Sequence, residues 1–187
     1  MIEIRTHGRG GQGSVIASEI LADAFFREGK FVQAFPAFGV ERRGAPVMAF
    51  TRVSDTEIRE RCQIYHPDHL VVLDSVLIDT VKITEGLKKG GWILINTGDE
   101  MSDSHLLDNN NLALVNASRI AIKHGLGSRS APIVNTAIVG AFAAVTGLVS
   151  LDAVQEAIKS FVPIKEKENA AAAEEAYENV RKIEMRK

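Results

Sequence analysis

Apolar and polar residues alternate at the start of the chain, where Ile2, Ile4 and Thr6 lie on one side of a short predicted strand. The period then lengthens. Ala17, Ile20, Leu21, Ala24 and Phe25 recur at three- and four-residue steps until Gly29, the pattern of a helix closed by glycine. FVQAF (31–35), PVMAFTRV (46–53), LVVLD (70–74), WILIN (92–96) and LALVN (112–116) read as further strands, LVVLD and WILIN as short buried ones rich in branched residues. Helices are expected over 76–89, ending at Gly90 and Gly91, near 118–124, from Pro132 to Gly147, and from Asp152 to about Pro163. This alternation predicts an α/β fold: a Rossmann-like three-layer sandwich with a mostly parallel sheet and helices on both faces.

Length and charge narrow the picture. The chain has 187 residues, enough for one well-buried core and short for two, so a single domain over 1–187 is expected. Twenty-two Lys and Arg against 24 Asp and Glu leave a net charge of −2, which argues against a nucleic-acid partner. Cys62 is the only cysteine, so the chain holds neither an internal disulfide nor the thiolate set that ligates an iron–sulfur cluster. No apolar run approaches the roughly 20 residues of a membrane span, and no export signal is recognised, so a cytoplasmic address is expected. His7, His66, His69, His105 and His124 lack a metal-ligand spacing, and no metal site is assigned.

The stretch GRGGQGS, residues 8–14, joins the first predicted strand to the first predicted helix. Glycines there let bare backbone approach an anion, whose charge is favoured by the free amides of a helix start. The candidate binding residues are therefore Gly8, Arg9, Gly10, Gly11, Gln12, Gly13 and Ser14. A tight strand-to-helix turn without a ligand is the simpler alternative. NAD requires an acidic residue at the end of the second strand to grip the ribose, and FVQAFPAFGV supplies none before Glu41.

GRGGQG and AFPAFGVERRGAPVMAFTR (34–52) together closely resemble the gamma subunit of 2-oxoacid:ferredoxin oxidoreductases. IRERCQIYHPDHLVVLD (58–74), NTAIVGAFAAVTG (135–147) and ENAAAAEEAYE (168–178) extend the likeness over nearly the whole chain. The resemblance implies a gamma subunit of a pyruvate-type enzyme, or pyruvate synthase, acting on pyruvate or a branched 2-oxoacid. It further implies that alpha, beta and delta type subunits share the work: thiamine diphosphate and [4Fe–4S] clusters sit on the partners, ferredoxin receives the electrons through the complex, and this chain binds coenzyme A. No catalytic residue is assigned here. A thiamine diphosphate motif is absent, since TGDE (97–100) lacks its second glycine, and the isolated chain is expected to be inert.

Coenzyme A suits the glycine loop, because its pyrophosphate and ribose phosphate need amides and cations and no acidic ribose clamp. Arg42 and Arg43 are candidates for a subunit interface or for anion binding. Asn135, in the family-like motif, joins the cofactor-binding set. Ser128 and Ser130 precede the long apolar segment and are read first as helix caps. Within that segment Gly140, Ala141, Ala143 and Ala144 would let another element approach closely. Asp74 lies at the sheet edge where ligands bind, or merely caps the next helix. His7 is expected to be buried or loop-bonded. Residues 165–187 form a predicted helix whose stripe of Ala173, Tyr177, Val180 and Ile183 must dock, on this domain or on a partner. Two other functions stand beside the favoured one: a stand-alone NAD- or FAD-dependent oxidoreductase, and a purely structural assembly subunit.

Overall fold

The computed structural model describes residues 1–37, 44–98, 106 and 110–184. Its strands are β1 (Ile2–Arg9), β2 (Phe31–Pro36), β3 (Pro46–Ser54), β4 (His69–Val72), β5 (Trp92–Asn96), β6 (Asn111–Val115), the two-residue β7 (Gly127–Ser128) and β8 (Ala131–Pro132), and β9 (Arg181–Ile183). Its helices are α1 (Ser14–Arg27), α2 (Leu77–Thr80), α3 (Ala117–Lys123), α4 (Asn135–Thr146), α5 (Leu151–Phe161) and α6 (Glu166–Asn179). Seven strands make one sheet in the order β2-β3-β1-β4-β5-β6-β9. β1, β4, β5 and β6 run parallel; β3 and β9 are reversed, and β2 again points with β1. The α/β architecture with a mostly parallel sheet is thus as the sequence pattern predicts.

The strand alternation sorts two cores. Ile4, Val53, Val71, Leu94 and Ala113 face the helical layer of α1 and α3–α6, whereas Leu70, Val72, Ile93, Ile95 and Leu112 face the other side with Leu77 and Ile83. The helical layer is thick. Gly140 on α4 meets the α6 backbone so closely that a methyl there would stand 2.1 Å from the Ala173 carbonyl oxygen, and Ala172, Ala173 and Ala176 are fully buried. The small residues of the 135–147 motif therefore receive α6 of the same chain. Thr136 Oγ1 donates to Asn169 Oδ1 at 2.9 Å across this contact, and Lys123 and His124 pair with Glu175 at 2.9 and 2.7 Å.

Among the described residues the second face has no comparable layer. The helix expected over 76–89 is a single turn, because Val81 is already extended and residues 83–86 form turns. Burial of Arg5 explains the difference: its Nη2 donates to the carbonyls of Ile83 at 2.8 Å and Glu85 at 2.7 Å, acceptors that a continuing helix would have consumed internally. Arg52, 1% exposed, does the same for a second loop, donating to Cys62 O at 2.8 Å while pairing with Glu3 at 2.9 Å. Two buried guanidinium groups thus strap two loops over the β3–β1 end of the sheet.

Two other expectations need correction. The long apolar helix starts at Asn135 and not at Pro132, because Ala131 and Pro132 pair with Ser128 and Gly127 in a small hairpin. The terminal segment is helical only to Asn179; Arg181–Ile183 then adds β9 antiparallel to β6, closing an apolar strand edge with Arg181 and Lys182. Among the described residues no helix is long and apolar enough to cross a membrane.

Substituting Gly140 with Ala should destabilise the chain by about 1–3 kcal/mol in urea denaturation, because a rigid backbone lies where the methyl must go and overpacking outweighs the gain in helix propensity. A second expectation concerns acid. Burial, and next the Arg5 charge, lower the His7 pKa from 6.5 to about 3, so the folded chain refuses a proton that the unfolded chain accepts. The stabilisation is complete above pH 6.5 and is lost as pH falls from there toward 3, by up to about 1.4 kcal/mol per pH unit. His7→Gln should flatten that part of the pH–stability curve.

Candidate functional site

The parallel strands deliver their carboxyl ends to one edge, where the loops after β1, β4 and β5 open a cleft of about 410 Å³. Gly10, Gly11 and Gln12 form one wall. Asp74 and Ser75 follow β4, Thr97 and Gly98 follow β5, and Ser130 to Val134 close the cleft from the hairpin that precedes α4.

The glycine loop is shaped by contacts that only glycine permits. Gly11 and Gly13 take positive φ values of 96° and 81°. A methyl on Gly13 would stand 3.0 Å from Asn135 Nδ2, so the start of α1 rests directly on the start of α4. Behind them, Gly8 lies against Ser14, whose Cβ would be 3.1 Å from a methyl there. Gly11 differs: nothing lies within 4 Å of where its methyl would project, and the residue is exposed. Gly10 is pinned by its N–H to Ala45 O at 2.9 Å and by Gly44 N–H to its own carbonyl at 3.1 Å.

Two helix starts therefore meet at the cleft, and neither has a side-chain cap. In α1 the first amide to bond back is Ala17 N–H, to Gly13 O at 2.9 Å, which leaves the amides of the first turn without intrahelical acceptors. In α4 the Asn135 side-chain oxygen accepts from the adjacent Thr136 N–H at 2.9 Å, a local contact that does not cap the turn. Each helix start presents partial positive charge, and an anion between them would gain roughly 0.3–1 kcal/mol from each.

The polar side chains of the loop are already engaged. Gln12 Oε1 accepts from Arg9 N–H at 2.7 Å, its Nε2 donates to Asp74 Oδ2 at 2.9 Å, and Arg9 Nε pairs with the same carboxylate oxygen at 3.0 Å. Asp74 Oδ1 meanwhile accepts from Val76 N–H at 3.1 Å. Asp74 thus faces the cleft and accepts from the amide two residues on, but it does not cap α2, whose N-cap is Val76 and which has no side-chain cap. Arg9 is tied to an acid, so its charge is largely neutralised in this arrangement.

Of the predicted set, Gly10, Gly11 and Gln12 line the cleft; Gly8, Gly13, Ser14 and Asn135 pack behind it, with Ser14 only 3% exposed; and Arg9 flanks it through Asp74. Arg42 and Arg43, with Phe38, lie outside the described residues. Ser128 and Ser130 hold each other at 3.1 Å within the hairpin and cap no helix, although Ser130 reaches the cleft wall. His7 is buried, accepting at Nε2 from Arg5 Nε at 3.0 Å. No group of His, Cys, Asp and Glu among the described residues could hold a metal ion.

Sequence reasoning missed Asn96. Its amide Nδ2 donates to Leu73 O at 2.9 Å and Ser118 Oγ at 3.0 Å, while its Oδ1 accepts from Ser118 N–H at 3.1 Å. One buried side chain thereby ties the ends of β4 and β5 to the start of α3. The signal was a polar residue closing the run WILI at the carboxyl edge of a strand.

Known proteins agree with this architecture. The family model for pyruvate ferredoxin/flavodoxin oxidoreductase matches residues 3–179. The pyruvate/ketoisovalerate oxidoreductases common subunit gamma of Thermococcus kodakarensis is 57% identical over 95% of this chain and 96% of its own length. Pyruvate synthase subunit PorC of Methanothermobacter marburgensis is 52% identical over 97% and 98%. Among solved structures, the pyruvate oxidoreductase subunit PORC of Thermotoga maritima superposes with a TM-score of 0.81 at 37% identity, covering 98% of both chains. A 2-oxoglutarate:ferredoxin oxidoreductase from Magnetococcus marinus shares the fold over 95% of this chain and 30% of its own, with a TM-score of 0.69 at 21% identity.

Proposed function

Because the chain belongs to the pyruvate ferredoxin/flavodoxin oxidoreductase family as a gamma-type subunit, we propose that its glycine-loop cleft holds the phosphate end of coenzyme A for a 2-oxoacid oxidoreductase assembly. The observation that carries this reading is the convergence of two uncapped helix starts, α1 and α4, on one cleft beside the unobstructed Gly11. Coenzyme A supplies the thiol that accepts the acyl group. This chain's residues bind and orient its nucleotide end: Gly10 and Gly11 keep side chains out of the way, the first amides of α1 donate to a phosphate, and Asn135 keeps the two helix starts in register.

The oxidative chemistry belongs to partner subunits of alpha, beta and delta type carrying thiamine diphosphate and [4Fe–4S] clusters, with ferredoxin as the electron acceptor and the cytoplasm as the setting. The choice between pyruvate and a branched 2-oxoacid lies with those partners. In support, the Thermococcus relative is named as a subunit common to pyruvate and ketoisovalerate oxidoreductases. The chain alone turns over no oxoacid.

Sheet topology weighs against a stand-alone NAD enzyme. In a dinucleotide fold the second strand runs parallel beside the first and delivers the ribose-binding acid to the cleft. Here the reversed β3 separates β2 from β1, and β2 ends at Pro36 without an acidic residue.

Calorimetric titration of the chain with coenzyme A, NAD and FAD tests the proposal. Coenzyme A alone should bind, and Gly11→Val should weaken it at least tenfold, since the side chain would fill the space beside the amides. Binding of NAD in preference, or unchanged coenzyme A affinity in a folded Gly11→Val variant, would remove the site from this loop.

A further inference from the structure

One wall of the cleft comes from a stretch of sequence without acids. Between Asp108 and Asp152 there is no Asp or Glu, and this stretch supplies β6, α3, the β7–β8 hairpin and α4. Its Lys and Arg residues are Arg119, Lys123 and Arg129. Lys123 is engaged by Glu175 of α6. Arg119 and Arg129 are exposed, have no side-chain partner among the described residues, and adjoin Ser118 and Ser130, which line the cleft.

Of the two, Arg129 belongs to the larger part of the wall: the hairpin and its exit give the cleft Ser130 to Val134, whereas α3 gives it Ser118 alone. Gly127 pairs with Pro132 and Ser128 with Ala131, so Arg129 and Ser130 are the two residues of the hairpin tip. Bonds within the hairpin fix that tip. Ser128 Oγ accepts from Ala131 N–H at 3.1 Å and lies 3.1 Å from Ser130 Oγ, and Ile133 N–H donates to Leu126 O at 3.2 Å. A methyl on Gly127, whose φ is 79°, would stand 2.5 Å from Ala131 O, so the close approach of the two short strands requires glycine. Leu126 and Val134 at the base are buried in the core. A core-anchored hairpin thus carries an unpaired guanidinium beside the cleft.

Resting on the coenzyme A reading above, we propose that Arg129, with the neighbouring Ser130 hydroxyl, binds the ribose 3′-phosphate of coenzyme A and selects coenzyme A over 3′-dephospho-coenzyme A. Charge assigns the group. The pyrophosphate carries one charge on each phosphate, which suits the free first-turn amides of α1 and α4. A phosphomonoester carries about −1.5 to −2 at pH 7 and offers three acceptor oxygens, so it calls for a full cation with bidentate geometry. Asp74 is the one charged side chain among the described lining residues, and Arg9 is held by it. Arg129 is free to answer the dianion, and Arg119 adds to the positive field of the same wall.

The test is calorimetric titration of the full chain with coenzyme A and with 3′-dephospho-coenzyme A. The chain should prefer coenzyme A at least tenfold. Arg129→Gln should erase that preference by weakening coenzyme A and leaving the dephospho form unchanged, and Arg129→Lys should restore part of it. Because the side chain is exposed and unpaired among the described residues, neither variant should lose secondary structure. The preference should also shrink as pH falls through about 6, where the monoester takes up a proton. Equal affinity for the two ligands, a preference retained in Arg129→Gln, or equal weakening of both ligands would overturn the assignment while leaving the coenzyme A reading standing. If neither ligand binds, that reading falls and takes the assignment with it.

Discussion

The contact of Gly13 with Asn135 organises the site. With a methyl at position 13 placed 3.0 Å from the Asn135 amide nitrogen, any larger residue would push the start of α1 away from the start of α4. The two helix starts share a cleft only because that separation is preserved. Around it the remaining walls are fixed from the sheet: Asp74 holds Gln12 and Arg9 from the end of β4, and Asn96 joins β4, β5 and α3. Under the coenzyme A proposal, a phosphate entering the cleft would meet first-turn amides that these contacts hold in position.

The opposite face is governed by a different device. Where loops cover the sheet, buried polar groups must still be satisfied, and here Arg5 and Arg52 find their acceptors in loop carbonyls. This arrangement costs regular structure in residues 81–86 and leaves room for a cavity. It also holds His7 neutral, since burial and the neighbouring guanidinium both oppose its protonation.

Periodicity made most of the fold legible. Short continuous apolar runs at 70–73, 92–95 and 112–115 identify buried strands, and the GRGGQG loop between strand and helix identifies the cleft edge. The reversed directions of β3 and β9 were not legible, because strand direction depends on pairing partners and side-chain alternation is the same either way. Residues 76–89 have a helix-compatible pattern, and what ends the helix after Thr80 is a long-range claim by Arg5 on two carbonyls, invisible to any local window. Pro132 carries a helix-start signal that the hairpin with Gly127 and Ser128 overrides. Within the site, the glycines were readable from spacing, whereas Arg9 as a partner of Asp74 and Asn96 as a three-way tie emerge only when distant strand ends meet.

On the proposed reading the chain contributes geometry to a 2-oxoacid oxidoreductase assembly: amides held open at a cleft. The most direct test of that account is a backbone amide NMR titration of the chain with coenzyme A. It predicts the largest shifts at Gly11, Gly13 and the first turn of α1, with a second group at the start of α4. Shifts concentrated elsewhere, with the glycine loop unmoved at saturation, would contradict it.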